Sequence, residues 1–572
     1  VKSYPILVAA VVAILVPIAA GGDEKPVAAQ HPLINVLQEE LDHSMEKLAM
    51  PDGTKPYYMA YTITDEKSVR VGAELGALMS NDQNHQRLLD VDVRVGDYEV
   101  DNTHKIRGSG FGFDPSDFYT RVTSISLEDD PVAIKHALWL ATDRNFKAAA
   151  KKYQRVLTNL KTKVEEEDKS NDFSREEPSV YSEPAVHLNV DRDMWAKRLR
   201  EVSKIALDHP LIYDSGVSLT ASASNRYMVT SEGTRLQTGR KLLRITVTAR
   251  SKAEDGMELD QTRTFNAASE DGLPSQKELA EGFREVIETV LALREAPLVE
   301  PYTGPAILRN RASGVFFHEI FGHRIEGHRQ KDVEEGQTFT KKIGEEVLPD
   351  FLSVHDDPTL ARFEGTDLRG YYKYDDEGVP AQDVTLVENG ILKTFLLSRS
   401  PVEGFPKSNG HGRRSPGNEV VGRQGNLIIE SSRVMPFDGL RAELIEECKK
   451  QEKEFGYLFE DITGGFTGTR RFGPQSFKVL PVVVYRVYAD GRPDELVRGV
   501  DIVGTPLTSF SKIILTGDDP DVFNGTCGAE SGWVPVSAIS PSLLVSQIEI
   551  EKRRREQDKP PILDPPIAQK GL

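Results

Sequence analysis

The stretch Phe316-Phe317-His318-Glu319-Ile320-Phe321-Gly322-His323-Arg324-Ile325-Glu326-Gly327-His328 constrains this chain more than any other. It sets three histidines and two glutamates into thirteen residues of apolar, helix-forming sequence. Imidazoles buried on such a helix need partners, because a polar group taken out of water alone is costly. A His-Glu pair followed about one turn later by a second His is the pattern of a zinc hydrolase helix. Two imidazoles hold the ion and the Glu works on its water. The usual spacing is H-E-x-x-H, and here one more residue intervenes. On a regular helix a five-residue step turns the side chain by roughly 140°, against about 40° for a four-residue step. His318 and His323 therefore converge only if the helix absorbs a residue. The spacing predicts a π-bulge, eased by the low helix propensity of Gly322. Zinc needs a third protein ligand, and His328, Glu326, a distant carboxylate and Cys527 are all open to that role. A thiolate suits the ion and is deprotonated by it.

Further blocks follow in order. They are Tyr374-Asp375-Asp376-Glu377-Gly378-Val379-Pro380, Val387-Glu388-Asn389-Gly390-Ile391-Leu392-Lys393, and Gly410-His411-Gly412-Arg413-Arg414 with the later Asn426. Gly464-Gly465, Val497-Arg498-Gly499 and Cys527-Gly528 come after them. Together with His318-Glu319-x-x-Gly322-His323-x-x-Glu326-Gly327 they resemble the TldD/PmbA family of metalloproteases across residues 300–545. The resemblance implies that His318, His323 and Cys527 are the metal ligands, that Glu319 is the catalytic glutamate, and that His328 is a bystander. It also implies one Zn2+ per active subunit, a two-domain α+β fold, and short or unfolded peptides as substrates. Homodimers, or heterodimers with a related subunit lacking the zinc motif, are the assemblies it suggests. Glu319 would take the proton of the zinc-activated water and return it to the leaving amine. Arg413, Arg414 and Gly464-Gly465-Phe466 are candidate substrate contacts that serve equally as turn and surface residues.

At 572 residues the chain exceeds a single core of usual size. A formal charge of −18 disfavours nucleic acid as a partner, since phosphates would be repelled. Lys2, the apolar run Pro5–Ala20 and the small residues Ala19-Ala20-Gly21-Gly22 have the anatomy of an export signal, expected over residues 1–29 with cleavage near Ala20 or after Ala29. No second run is long enough to span a bilayer, so the expected protein is periplasmic or extracellular with no stable span after signal removal.

Helical periodicity is read over His31–Met50, Pro131–Lys163, Asp191–Leu207, Ser275–Glu295 and Gly439–Glu454. Tyr57–Val100 and Ile212–Ser251 alternate as antiparallel strands, the first in several short runs. Hairpins are predicted about Glu388-Asn389-Gly390 and Ala489-Asp490-Gly491. Glu165–Glu177 is expected as a solvated charged loop. The sum is α+β: an N-terminal mixed domain over 30–298, a strand-rich metalloprotease domain over 299–548 opening on the metal helix, and a charged, Pro-rich tail over 549–572. Of the two cysteines, Cys448 falls on the apolar face of its helix and Cys527 in a loop that presents it. A disulfide between them, or a non-catalytic partner or scaffold subunit, are the readings that compete with an exported zinc peptidase.

Overall fold

The computed structural model describes residues 30–106, 122–161, 168–471, 477–553 and 559–568. The expected signal segment, 1–29, lies outside the described residues.

The N-terminal domain is built on α1 (Pro32–Lys47), β1 (Pro56–Glu74), β2 (Ala77–Val95), β3 (Val122–Ser124), α2 (Pro131–Leu160), β4 (Val180–Ser182), α3 (Arg192–Ser203), β5 (Asp214–Thr230), β6 (Arg235–Lys252), β7 (Glu258–Ala267) and α4 (Gln276–Glu295). The strands form one sheet in the order β3-β2-β1-β5-β6, with β4 and β7 both paired to β6. Where several short runs were expected in Tyr57–Val100, β1 and β2 are two 19-residue strands joined at Leu75-Gly76. Both turn residues have positive φ, which matches the twist of a two-residue hairpin. The intervening polar residues do not end the strands because neighbouring strands on both sides satisfy the β1 backbone.

Side chains of period two give this sheet one apolar face. Met59, Tyr61 and Ile63 pack under α1 and α2, and Val69, Val71 and Ala73 under α3 and α4. The helix starts follow from local chemistry: Asp130 caps α2, Asp191 caps α3, and Ser275 with Glu278 forms a capping box on α4. The opposite sheet face meets the C-terminal domain. Asp172-Phe173-Ser174, expected in a solvated loop, is buried there: Arg399 stacks 3.8 Å from the Phe173 ring and pairs with Glu232 of the β5–β6 turn at 2.7 Å. The charge of the segment hides one aromatic anchor.

The second domain opens with β8 (Tyr302–Leu308) and α5 (Asn310–Ile320). The strand β8 pairs with Phe455–Thr467 on one side and Leu543–Lys552 on the other; Phe477–Tyr488 and Val500–Gly504 complete a closed ring. Glu549–Lys552 therefore belongs to this sheet rather than to the tail expected from 549. A second sheet carries Leu352–Asp356, Val384–Glu388, Asn426–Ser431, Gly532–Ser540 and Asp521–Ala529. The hairpin at Asn389-Gly390 forms as read, with both residues at positive φ. Helix α5 lies between the two sheets, against Phe455–Thr467 and Gly532–Ser540. Every residue from Ala312 to Ile320 is buried, and each large apolar side chain there contributes about 1.5–3 kcal/mol of burial. That packing fixes α5 and leaves its C-terminal end free to depart from regular geometry.

Candidate metal centre

Helix α5 stops at Ile320, and Gly322–Arg324 makes one 3-10 turn. The expected π-bulge is not there. The chain instead leaves the helix axis after Phe321, so the angular arithmetic of a continuous helix no longer governs where His323 points. Beyond the turn, the Gly327 amide donates to the Leu396 carbonyl at 2.8 Å and fixes the exit. Gly322 is required for a different reason from the one its propensity suggests. A Cβ there would lie 2.0 Å from Gln424 Oε1, and Gln424 is buried with its Nε2 donating to the His318 carbonyl at 3.3 Å.

The turn brings the rings of His318 and His323 to 5.1 Å between centroids. Cys527 completes the group from the strand Asp521–Ala529; it sits on a strand and is 6% exposed, where a presenting loop was expected. Its Sγ is 3.3 Å from His323 Nε2, and one donor atom from each of the three residues lies within 4.8 Å of the others. Both cysteines are free, and Cys448 is buried in a separate apolar cluster with Leu440 and Leu444. The disulfide reading is thus removed.

The electrostatics of the trio are those of a cation site. Burial disfavours the charged form of His323, but the Cys527 sulfur and then the Glu326 carboxylate outweigh it and hold the imidazole well above its ordinary value. Burial also works against the Cys527 thiolate, and His323 and His318 overturn it, holding the thiol well below the usual range. A buried sulfur that ionises beside two imidazoles stabilises positive charge where the three donors meet. His318 Nδ1 is buried without a hydrogen-bond partner among the described residues, an unmet polar atom at the edge of the trio. Two imidazoles and a thiolate leave a fourth tetrahedral position open, the donor pattern of a catalytic rather than a structural zinc. The residues fit a divalent ion.

Glu319 lies next to His318 and is 8% exposed. A Cβ on Gly465 would come within 2.8 Å of its Cγ, so the strand Phe455–Thr467 passes close enough to hold the carboxylate in place. Glu326, open as a ligand in the sequence, takes another part. It stands behind His323, 3.3 Å from Nδ1, while Nε2 faces the sulfur. A carboxylate on the far ring nitrogen fixes tautomer and orientation. Glu326 is itself held by Arg329 at 2.9 Å and Arg423 at 3.2 Å, and Arg423 also donates to the Cys527 carbonyl at 3.0 Å. Burial opposes its charge, yet His323 and Arg329 bring the carboxyl down to about 2. The i,i+3 spacing of His323 and Glu326 was a readable signal for this pair; Arg423 carried none. His328 does not join the trio and pairs with Glu530.

Arg413 and Arg414, candidates for substrate contact, are spent within the protein. Arg413 donates to the Pro535 carbonyl at 2.7 Å, and Arg414 pairs with Asp90 at 3.1 Å. Gly464, Gly465 and Phe466 do line a cavity of about 2450 Å³ that opens on His318, Glu319, His323 and Cys527. Its opposite wall is the free face of the N-terminal sheet, including Arg94, Arg244 and Thr262. The sequence reading had not assigned that domain any share in the site.

The trio and its neighbouring glutamate form a candidate metal site on a two-domain α+β frame. Residues 301–552 match the PmbA/TldA metallopeptidase C-terminal domain. A metalloprotease of Archaeoglobus fulgidus is 30% identical over 267 residues, 46% of this chain and 56% of that protein. A zinc metalloprotease TldD homolog of Saccharolobus solfataricus is 28% identical over 251 residues, 43% of this chain and 51% of the relative. The chain spans about half the length of the curated relatives it matches. Among solved structures, TldE from Thermococcus kodakarensis superposes with a TM-score of 0.58 at 16% identity, covering 91% of this chain and 99% of that one. Residues 301–552 thus carry the C-terminal domain of the TldD/PmbA family.

Proposed function

We propose that the protein is a zinc-dependent peptidase acting on short or unfolded peptides. The observation that carries the reading is the convergence of His318, His323 and Cys527 beside Glu319 on an interdomain cavity. His318, His323 and Cys527 would hold the ion. When bound, zinc supplies Lewis acidity toward a carbonyl oxygen and lowers the pKa of its water toward roughly 7. Glu319, the one carboxylate adjacent in sequence to a ligand, takes a proton from the attacking water on its carboxylate oxygen and delivers it to the leaving amine. Glu326 keeps the His323 ring turned so that Nε2 faces the sulfur. The sheet of the N-terminal domain covers the cavity, which favours extended, flexible chains over folded proteins. Export, suggested by the apolar run Pro5–Ala20, and pairing with a second copy or a related subunit belong to the same proposal.

The test is hydrolysis of an unstructured peptide library by the purified chain, with zinc determined alongside. Wild type is expected to cleave and to stop on chelation; Glu319→Gln is expected to keep zinc and lose at least a hundredfold in turnover. Near-normal turnover in Glu319→Gln overturns the assignment of Glu319. Cleavage indifferent to chelation overturns the metal.

A further inference from the structure

Of the arginines that line the cavity, Arg94 pairs with Asp101, and Arg329 with Glu326 and Glu530. Arg311 and Arg244 stand apart from these two. Arg311 lies on α5 and is partly exposed; among the described residues no carboxylate approaches it within ion-pair distance. Arg244 comes from β6 on the opposite wall. It donates Nε to Asn266 Oδ1 at 2.8 Å and Nη2 to the Asn524 carbonyl at 3.1 Å, all neutral acceptors. Burial alone pulls its pKa down, with no anion to offset it. Arg244 is a half-buried cation held by neutral acceptors alone, so an anion entering the cavity would offset what its burial costs.

Their placement relative to the trio is informative. Arg311, Val315 and His318 follow one another at steps of four and three along α5, so they share a helix face, and all three line the cavity. Seven residues of α-helix span roughly 10 Å. An extended peptide advances about 3.3 Å per residue, so that separation corresponds to about three residues of substrate. Asn524, whose carbonyl receives Arg244, lies on the strand that carries Cys527, three residues before it. The second arginine thus flanks the same floor from the other domain.

We propose that Arg311 and Arg244 form a carboxylate subsite, so that the preferred peptide carries a carboxylate about three residues from the bond presented to His318, His323 and Cys527. Arg311 is the direct contact, with its full fork of donors available. Arg244, partly occupied by its neutral acceptors, adds charge from the roof. The carboxylate is either the C-terminal group of the peptide or an Asp or Glu side chain. This inference rests on the peptidase reading for the position of the scissile bond, while the anion subsite itself is a matter of binding.

Binding is therefore measured without turnover, on the full chain carrying Glu319→Gln with zinc added. Peptides of one sequence are compared with a free or an amidated C-terminus, and with Asp or Asn three residues from either end. At least one carboxylate form is expected to bind about tenfold more tightly than its neutral twin, and that arm names the source. Adding Arg311→Gln, and separately Arg244→Gln, is expected to bring the ratio toward one. Arg311→Lys should keep part of the preference. A ratio near one in the Glu319→Gln protein, or a ratio untouched by Arg311→Gln in a variant with an unchanged melting temperature, overturns the subsite. If the preference stands while wild type cleaves no peptide, the peptidase reading fails and the subsite survives.

Discussion

Replacing Glu326 by Gln tests the arrangement behind the metal ligands. The carboxylate is wholly buried and touches His323, Arg329 and Arg423. Gln keeps the shape and one acceptor but removes the charge that three cationic groups share. Removing one partner of a buried ion pair costs about 3–5 kcal/mol. The depression of the carboxyl from 4.5 to about 2 gives a similar figure, about 3 kcal/mol. Losing the carboxylate behind a ligating His weakens metal binding by about 10–100-fold. Chelator competition and urea unfolding of the zinc-free protein read the two effects separately. The sign with pH follows: a carboxyl depressed in the fold stabilises fully above 4.5, and its contribution disappears as pH falls through about 2. The stability gap between wild type and Glu326→Gln should be constant above pH 5 and narrow below it. Zinc affinity within twofold of wild type, together with an unchanged urea midpoint, would refute the orienting role.

Three further outcomes follow from the same contacts. Gly322→Ala drives a Cβ against the buried Gln424 amide; it is expected to cost about 1–3 kcal/mol and to weaken zinc binding, and Gln424→Ala in the same chain should restore part of both. Gly465→Ala presses on Glu319 Cγ and the Lys478 carbonyl, so it should lower kcat about tenfold or more while zinc content holds; an equal loss of zinc would place the effect elsewhere. The Cys448 thiol is pushed up by burial from 9.0 to about 11, so the fold keeps its proton while the unfolded chain releases it. Stability is then lost as pH rises from 9 through 11, by up to about 3 kcal/mol, and thermal melts of Cys448→Ala should show less of that loss.

Much of the fold was legible because its signals are local. The amphipathic helix read over Ser275–Glu295 and the Asn389-Gly390 turn are each written within a short stretch, and the structure forms both. The grouping of His318, His323 and Cys527 was legible where chemistry restricts the choice, since few residue types can join two imidazoles around one ion. The route of convergence was not. Whether α5 bulges or ends after Ile320 is decided by Gln424 and Leu396, which lie far along the chain and press on Gly322 and Gly327. The same holds for Cys527, whose glycine-flanked sequence reads as a loop but is held in a strand by pairing with Val534. Asp172-Phe173-Ser174 was hidden by the charge around it, because its burial depends on Arg399 of the other domain. Long-range partners decide such points, and a single sequence does not display them.

The central claim is that His318, His323 and Cys527 bind one ion together, and zinc-edge X-ray absorption on the purified chain tests it most directly. The expected spectrum has one sulfur at about 2.3 Å and two imidazole nitrogens at about 2.0–2.1 Å, with the sulfur shell lost in Cys527→Ser. A chain that binds no zinc, or a zinc spectrum without sulfur in the wild type, would contradict it.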